Sequence, residues 1–212
     1  MTGHADRGGA DESAARRRII RAAEELFKKS GFRGVTMEAV ARDAAVSKAT
    51  LYSRFRNKDE LFLAVCSRLA DLTSRAFGEA LAAPGQAVDQ RALSAILAKH
   101  RLTFTLVRTS PHAADLFTHK AQLAGELFER ADNALLAQLA TVLTEDGVLR
   151  PSAPQLARAL LFASGELAAR STTMAELESE LGAFVTVHLA GARAVARTRS
   201  GTAGGRHEHA GQ

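Results

Sequence analysis

The stretch Thr36–Lys58, TMEAVARDAAVSKATLYSRFRNK, decides the fold. Thr36 is a good N-cap, and Glu38 in the following turn faces the positive end of a helix dipole. The spacing predicts a helix from there to about Asp43 or Ala44, with Val40 and Ala41 facing inward. Ala45-Val46 makes a tight turn. Ser47 caps a second short helix, predicted over Lys48–Phe55, in which Leu51 and Phe55 fall four residues apart on one face. The other faces carry Lys48, Ala49, Thr50, Tyr52, Ser53 and Arg54, small or polar where a buried helix would carry Leu or Ile. Such a helix is tied down at its back and presents its front end to something outside the protein.

Working outward, Ile19, Ile20, Ala23, Leu26 and Phe27 lie on one helical face. They predict a helix over about Glu12–Ser30, stopped by Gly31. Asn57 and Glu60 form a capping-box pair opening a longer helix, with Leu61, Phe62, Val65, Leu69 and Leu72 inward, that ends before Pro84-Gly85. Further helices are expected at about Val88–Arg108, Pro111–Thr118, Ala121–Thr144, Ala153–Arg170 and Met174–Arg197. No strand-like alternation appears, so the fold class is all-α. The expected organisation is a polar, disordered tail over 1–11 and a three-helix domain over 12–58. A larger helical domain covers 59–198, and a Gly-rich disordered tail covers 199–212.

The 212 residues carry a formal net charge of +5, unevenly placed. Residues 1–58 hold 13 Lys/Arg against 7 Asp/Glu, a net of +6, and the remainder nets −1. A basic end joined to a neutral body is the electrostatic footprint of nucleic-acid binding, and a solvated basic face is the alternative. No apolar run approaches the roughly 20 residues that span a bilayer. No secretory signal opens the chain, and the single Cys66 cannot form an internal disulfide; both fit the cytoplasm.

Two helices joined by a tight turn, with an exposed polar start to the second, form a helix-turn-helix, which places the front of its second helix in the major groove of double-stranded DNA. Lys48 can donate to guanine O6/N7, Thr50 can bond or touch a thymine methyl, and Ala49 can touch a methyl. Tyr52, Thr36 and Lys58 are within reach of phosphates. Arg16, Arg17 and Arg18 fit either a minor-groove arm or a solvated helix face.

The run Ile19–Leu61 closely resembles the TetR family of one-component transcriptional regulators. The resemblance rests on LF-x-x-x-GF at Leu26–Phe32, Thr36, Val40-Ala41, the SKATLYSRF helix and NKDEL, and spans about a fifth of the chain. It implies a repressor that binds a palindromic operator as a dimer and responds to a small-molecule effector. By position it implies phosphate contacts from Thr36, Tyr52 and Lys58, with Arg33 and the Ser47 cap beside them, and base-edge readers at Lys48, Ala49 and Thr50.

It also implies a homodimer through the last two long helices, about 153–197. The stripes Leu156, Leu160, Ala163, Leu167 and Leu177, Leu181, Phe184, Val185, His188, Ala192 are apolar, and the first is flanked by many small residues. Tight packing within one subunit is the alternative. An effector pocket is expected among His100, Phe104, Arg108, Phe117, His119, Leu123, Phe128 and Phe162, although these residues also suit a plain core. No Cys or carboxylate accompanies His100, His112 or His119 at ligand spacing, so no metal site and no cofactor are expected. No catalytic triad or phosphate loop is found. The rival reading is a helical small-molecule-binding protein or enzyme with a vestigial DNA-binding motif.

Overall fold

The computed structural model describes the backbone of residues 5–108 and 110–204. The side chains of 5–12, 105–109, 113, 114, 117 and 200–204 fall outside it. Among the described residues the chain is all helical, with no strand. The helices are α1 (Ala5–Gly34), α2 (Met37–Asp43), α3 (Lys48–Tyr52), α4 (Lys58–Leu81), α5 (Val88–Arg108), α6 (Ala113–Leu143), α7 (Ala153–Arg170) and α8 (Met174–Gly204). A short 3-10 turn, Arg150–Ser152, leads into α7. No helix among the described residues is long and apolar enough to cross a membrane.

Three expectations change. First, α1 begins at Ala5 and α8 continues to Gly204, so the described parts of both terminal segments are helical. Residues 1–4 and 205–212 lie outside the described residues. Second, α3 is shorter than expected. Arg54 and Phe55 both donate their N–H to the carbonyl of Leu51, which tightens the last turn and ends the regular helix at Tyr52. Third, the two helices expected over Pro111–Thr118 and Ala121–Thr144 are the single helix α6. Nothing at His119-Lys120 breaks a helix, since neither Gly nor Pro intervenes.

The chain forms two compact units. The first comprises Met1–Leu72 with Thr105–Glu129, and the second Thr73–Phe104 with Arg130–Gln212. The first unit therefore takes in the N-terminal part of α6 as well as residues 1–58. Its core holds Ile19, Ala23, Phe27, Val40, Leu51, Phe55 and Leu61, each at most 2% exposed. Phe27, Phe32 and Phe62 pack as an aromatic trio, with Phe62 edge-on to the other two at centroid separations of 5.3 and 5.2 Å. Each such side chain contributes about 1.5–3 kcal/mol by leaving water. Cys66 is buried in the same core, and burial pushes its thiol up to about 11.

The second unit is built around Phe77, Ile96, Leu139, Leu143, Leu149, Leu160, Leu177, Leu181 and Leu189. Most of the expected stripes of α7 and α8 belong to this core: Leu160, Leu177, Leu181 and Val185 are buried, and Leu156, Leu167, Phe184 and Ala192 pack partly buried against it, whereas His188 is exposed, its Nδ1 lying 2.8 Å from the carbonyl of Phe184. Arg193 of α8 fastens the start of α5 through both oxygens of Asp89, and its Nε donates to Asp146 at 2.8 Å. What α7 and α8 leave exposed is another face: Ala159, Phe162, Gly165 and Ala169 on α7, and Ala183, Val187, Ala190, Gly191 and Val195 on α8.

Candidate nucleic-acid interface

The geometry of the motif follows from its caps. The Thr36 hydroxyl oxygen accepts the N–H of Ala39 at 3.2 Å and starts α2. The Ser47 hydroxyl oxygen accepts the N–H of Thr50 at 3.0 Å and starts α3. Between them the chain reverses at Ala45, whose φ of 52° is left-handed. The N–H of Val46 reaches back to the carbonyl of Ala41 and that of Ala45 to Arg42, a Schellman closure of α2. This closure usually falls on Gly, because a Cβ is strained there. No sequence signal marked Ala45 as strained.

Leu51 and Phe55, at 0% and 1% exposed, anchor α3 from behind. Ser47, Lys48, Ala49 and Tyr52 are exposed and Thr50 half-buried, so the predicted readers and the tyrosine are accessible around the start of the short helix. The Ser47 and Thr50 side-chain oxygens lie 2.8 Å apart, which fixes the Thr50 rotamer. Thr36 and Arg33 are also exposed. Lys48 Nζ stands 3.4 Å from a carboxylate oxygen of Glu38 on α2. Local sequence pattern places Glu38 only at the helix dipole.

Lys58, expected at a phosphate, also makes contacts within the protein. It is half-buried, donates to the carbonyl of Val35 at 2.9 Å, and lies 4.6 Å from the centre of the Phe32 ring. It ties the segment between α1 and α2 to the start of α4. Asn57 caps α4 as expected, accepting the Glu60 N–H at 2.8 Å. The return bond of a capping box is replaced, because the Glu60 carboxylate accepts from Arg56 N–H at 2.8 Å instead.

Behind the motif, the end of α1 is clasped by residues far along the chain. At Gly31 (φ 68°, ψ 174°) the helix kinks, and a Cβ there would sit 3.0 Å from Asp115 Oδ2 and from His112 Cβ. Asp115 Oδ2 accepts the Phe32 N–H at 2.9 Å, and its other oxygen lies 3.7 Å from Arg33 Nε. The Ser110 hydroxyl donates to the carbonyl of Lys28 at 2.7 Å. The His119 ring stacks on Phe32 at 4.2 Å.

The expected effector residues do not gather within one unit. His100, Phe104 and Phe162 belong to the second, and Arg108, Phe117, His119, Leu123 and Phe128 to the first. The side chains of Arg108 and Phe117 lie outside the described residues. Phe162 is corrected: at 75% exposed it points away from the core of its unit, because α7 buries Leu160, Leu161 and Ser164 instead. His119 is taken up by Phe32. Leu123 and Phe128 pack partly buried on the first core, and Phe104 on the second. His100 is buried, its Nε2 lying 2.9 Å from Ser164 Oγ. Because the Ser164 hydroxyl proton goes to the carbonyl of Leu161, the histidine is the donor of that bond. Burial pushes its pKa down to about 4. No group of His, Cys, Asp and Glu able to hold a metal occurs among the described residues.

Comparison with known proteins agrees with this geometry. A family model described as bacterial regulatory proteins, tetR family, matches residues 19–65. An uncharacterised HTH-type transcriptional regulator of Bacillus subtilis, YhgD, is 30% identical over 147 residues, 65% of this chain and 73% of that protein. The HTH-type transcriptional regulator RutR of Escherichia coli is 30% identical over 166 residues, 72% of each chain. Among solved structures, a transcriptional regulator from Rhodococcus sp. RHA1 has the same fold, with a TM-score of 0.66 at 21% identity, covering 83% of this chain and 96% of that one.

Proposed function

The chain belongs to the TetR family of transcriptional regulators, and on that premise we propose that it binds a palindromic double-stranded DNA operator as a homodimer, acting as a repressor released by a small-molecule effector. The observation that carries this reading is the exposed front of α3. Lys48, Ala49, Thr50 and Tyr52 are presented by a helix held from behind by Leu51 and Phe55. Lys48, Ala49 and Thr50 read base edges. Thr36, Ser47, Tyr52, Arg33 and Lys58 register the motif on the phosphates, Lys58 with the donor capacity that its bond to Val35 leaves. The site of action is the cytoplasm, where a bacterial genome lies. The family is one of regulators and not of enzymes, so the rival reading as an enzyme has no support.

The homodimer is supported by the exposed face of α7 and α8. Phe162 at 75% and Val187 at 67% exposed are large apolar side chains flanked by Ala and Gly, which let two helices approach closely. The effector reading rests on the family resemblance, with His100 a pocket candidate whose Nε2 already donates to Ser164. An effector works by favouring a separation of the two reading helices that no longer fits successive major grooves, about 34 Å apart.

The test is a gel shift against DNA upstream of its own and neighbouring genes, beside random duplex, at roughly 150–200 mM salt. The expected outcome is binding at least about 1,000-fold tighter to one candidate duplex, by a species of twice the 22.5 kDa chain mass. Equal affinity for all duplexes removes the reading. Lys48→Ala or Thr50→Ala should shift preference between sequences, whereas Tyr52→Phe should weaken all of them alike.

A further inference from the structure

The ion pair between Lys48 and Glu38 links the first turn of α3 to the first turn of α2. Both side chains are on the surface, at 66% and 51% exposed, so the pair adds little to stability. Its consequence is for whatever approaches that surface. If Lys48 faces DNA, as the reading above has it, a carboxylate 3.4 Å away meets the same duplex.

We propose that Glu38 is a specificity-determining residue that penalises DNA lacking the operator sequence. Its charge acts in two ways. It repels the phosphates of any duplex brought against α3, and it neutralises Lys48, so that a mere phosphate encounter displaces fewer counterions. On the operator, Lys48 leaves Glu38 for paired acceptors on a base edge, such as guanine O6 and N7. The bonds gained there offset the separation from Glu38. On other sequences nothing does. The pair thus makes affinity conditional on what Lys48 finds in the groove. Glu38's own backbone N–H, and then Lys48, hold its carboxyl below the usual range, so the charge is present throughout the neutral pH range.

This inference rests on the DNA-binding reading, and the experiment separates the two. The wild-type protein is first used to enrich duplexes from a random pool. Affinities of Glu38→Gln for an enriched duplex and for its shuffled version are then measured across a salt series. The expected result is a gain of about 3- to 10-fold on the shuffled duplex and a salt slope steeper by about one. The gain on the enriched duplex should be smaller, so the specificity ratio falls. In a Lys48→Ala background the part of the change that comes from freeing Lys48 should vanish, including the difference between the two duplexes, and only the relief of phosphate repulsion, equal on both, should remain. Glu38→Ala serves as a second neutral variant, and a circular dichroism melt checks that each variant is folded. An equal gain on both duplexes, or none on either, overturns the role of Glu38 and leaves the regulator reading intact. If the wild-type protein enriches nothing, the regulator reading itself falls.

Discussion

Ala45 shows how much a single backbone angle asks of a side chain. Its φ of 52° places a Cβ where the left-handed region costs an L-residue roughly 1–2 kcal/mol. Yet the turn is needed, because it closes α2 and aims α3. Ala45→Gly removes the strain while loosening the unfolded chain, which offsets part of the gain. The expected outcome is a net stabilisation of about 0.5–1 kcal/mol, read as a raised urea midpoint. An unchanged or lowered midpoint would mean that the Cβ contributes packing at least equal to its strain. Lys58 makes a different point. Its bond to Val35 and its place over Phe32 give it a structural task beside any contact with phosphate. Loss of DNA binding in Lys58→Ala is therefore interpretable only with a stability measurement beside it.

Among the elements, α2 and α3 are too short to hold themselves and depend on their neighbours. The clasp at the end of α1 is part of that support. Asp115, on α6, accepts the Phe32 N–H exposed by the kink at Gly31. Asp115→Ala should cost about 1–3 kcal/mol, because a partly buried N–H loses its charged acceptor. Asp115→Asn keeps an acceptor and should recover most of that loss; urea titrations of the two variants check the difference. The caps Thr36, Ser47 and Asn57 were legible because a side chain bonds a backbone N–H three residues on, a purely local event. The inward positions Leu51, Phe55 and Phe62 were legible from helical spacing. Asp115 was not, since it lies 83 residues from its partner and no local pattern reports such a pairing. The apolar stripes of α7 and α8 were visible, but a stripe does not say whether its own chain or another copy covers it. The continuity of α6 through His119 follows from the absence of any breaker residue there, a signal weaker than the Pro84-Gly85 pair that follows α4.

At the scale of the whole molecule, acid is the condition to which one buried group is most exposed. His100 is neutral in the folded second unit, with a pKa of about 4 against an ordinary 6.5. On acidification the unfolded chain takes up a proton near pH 6.5, and the folded chain only near pH 4. Stability therefore falls as pH drops through that window, by up to about 3 kcal/mol from this group. His100→Gln, which keeps a donor for Ser164, should flatten the decline between pH 6.5 and 4.5 in urea unfolding. An unaltered slope would assign the decline to other groups. The division into two units also gives Cys66 a use. It is the only thiol in the chain, it is buried in the unit that carries the helix-turn-helix, and its thiolate is suppressed. A thiol-directed reagent in solution therefore has no target until that core opens. The rate of alkylation, followed with and without DNA, becomes a built-in clock for how often the reading head comes apart.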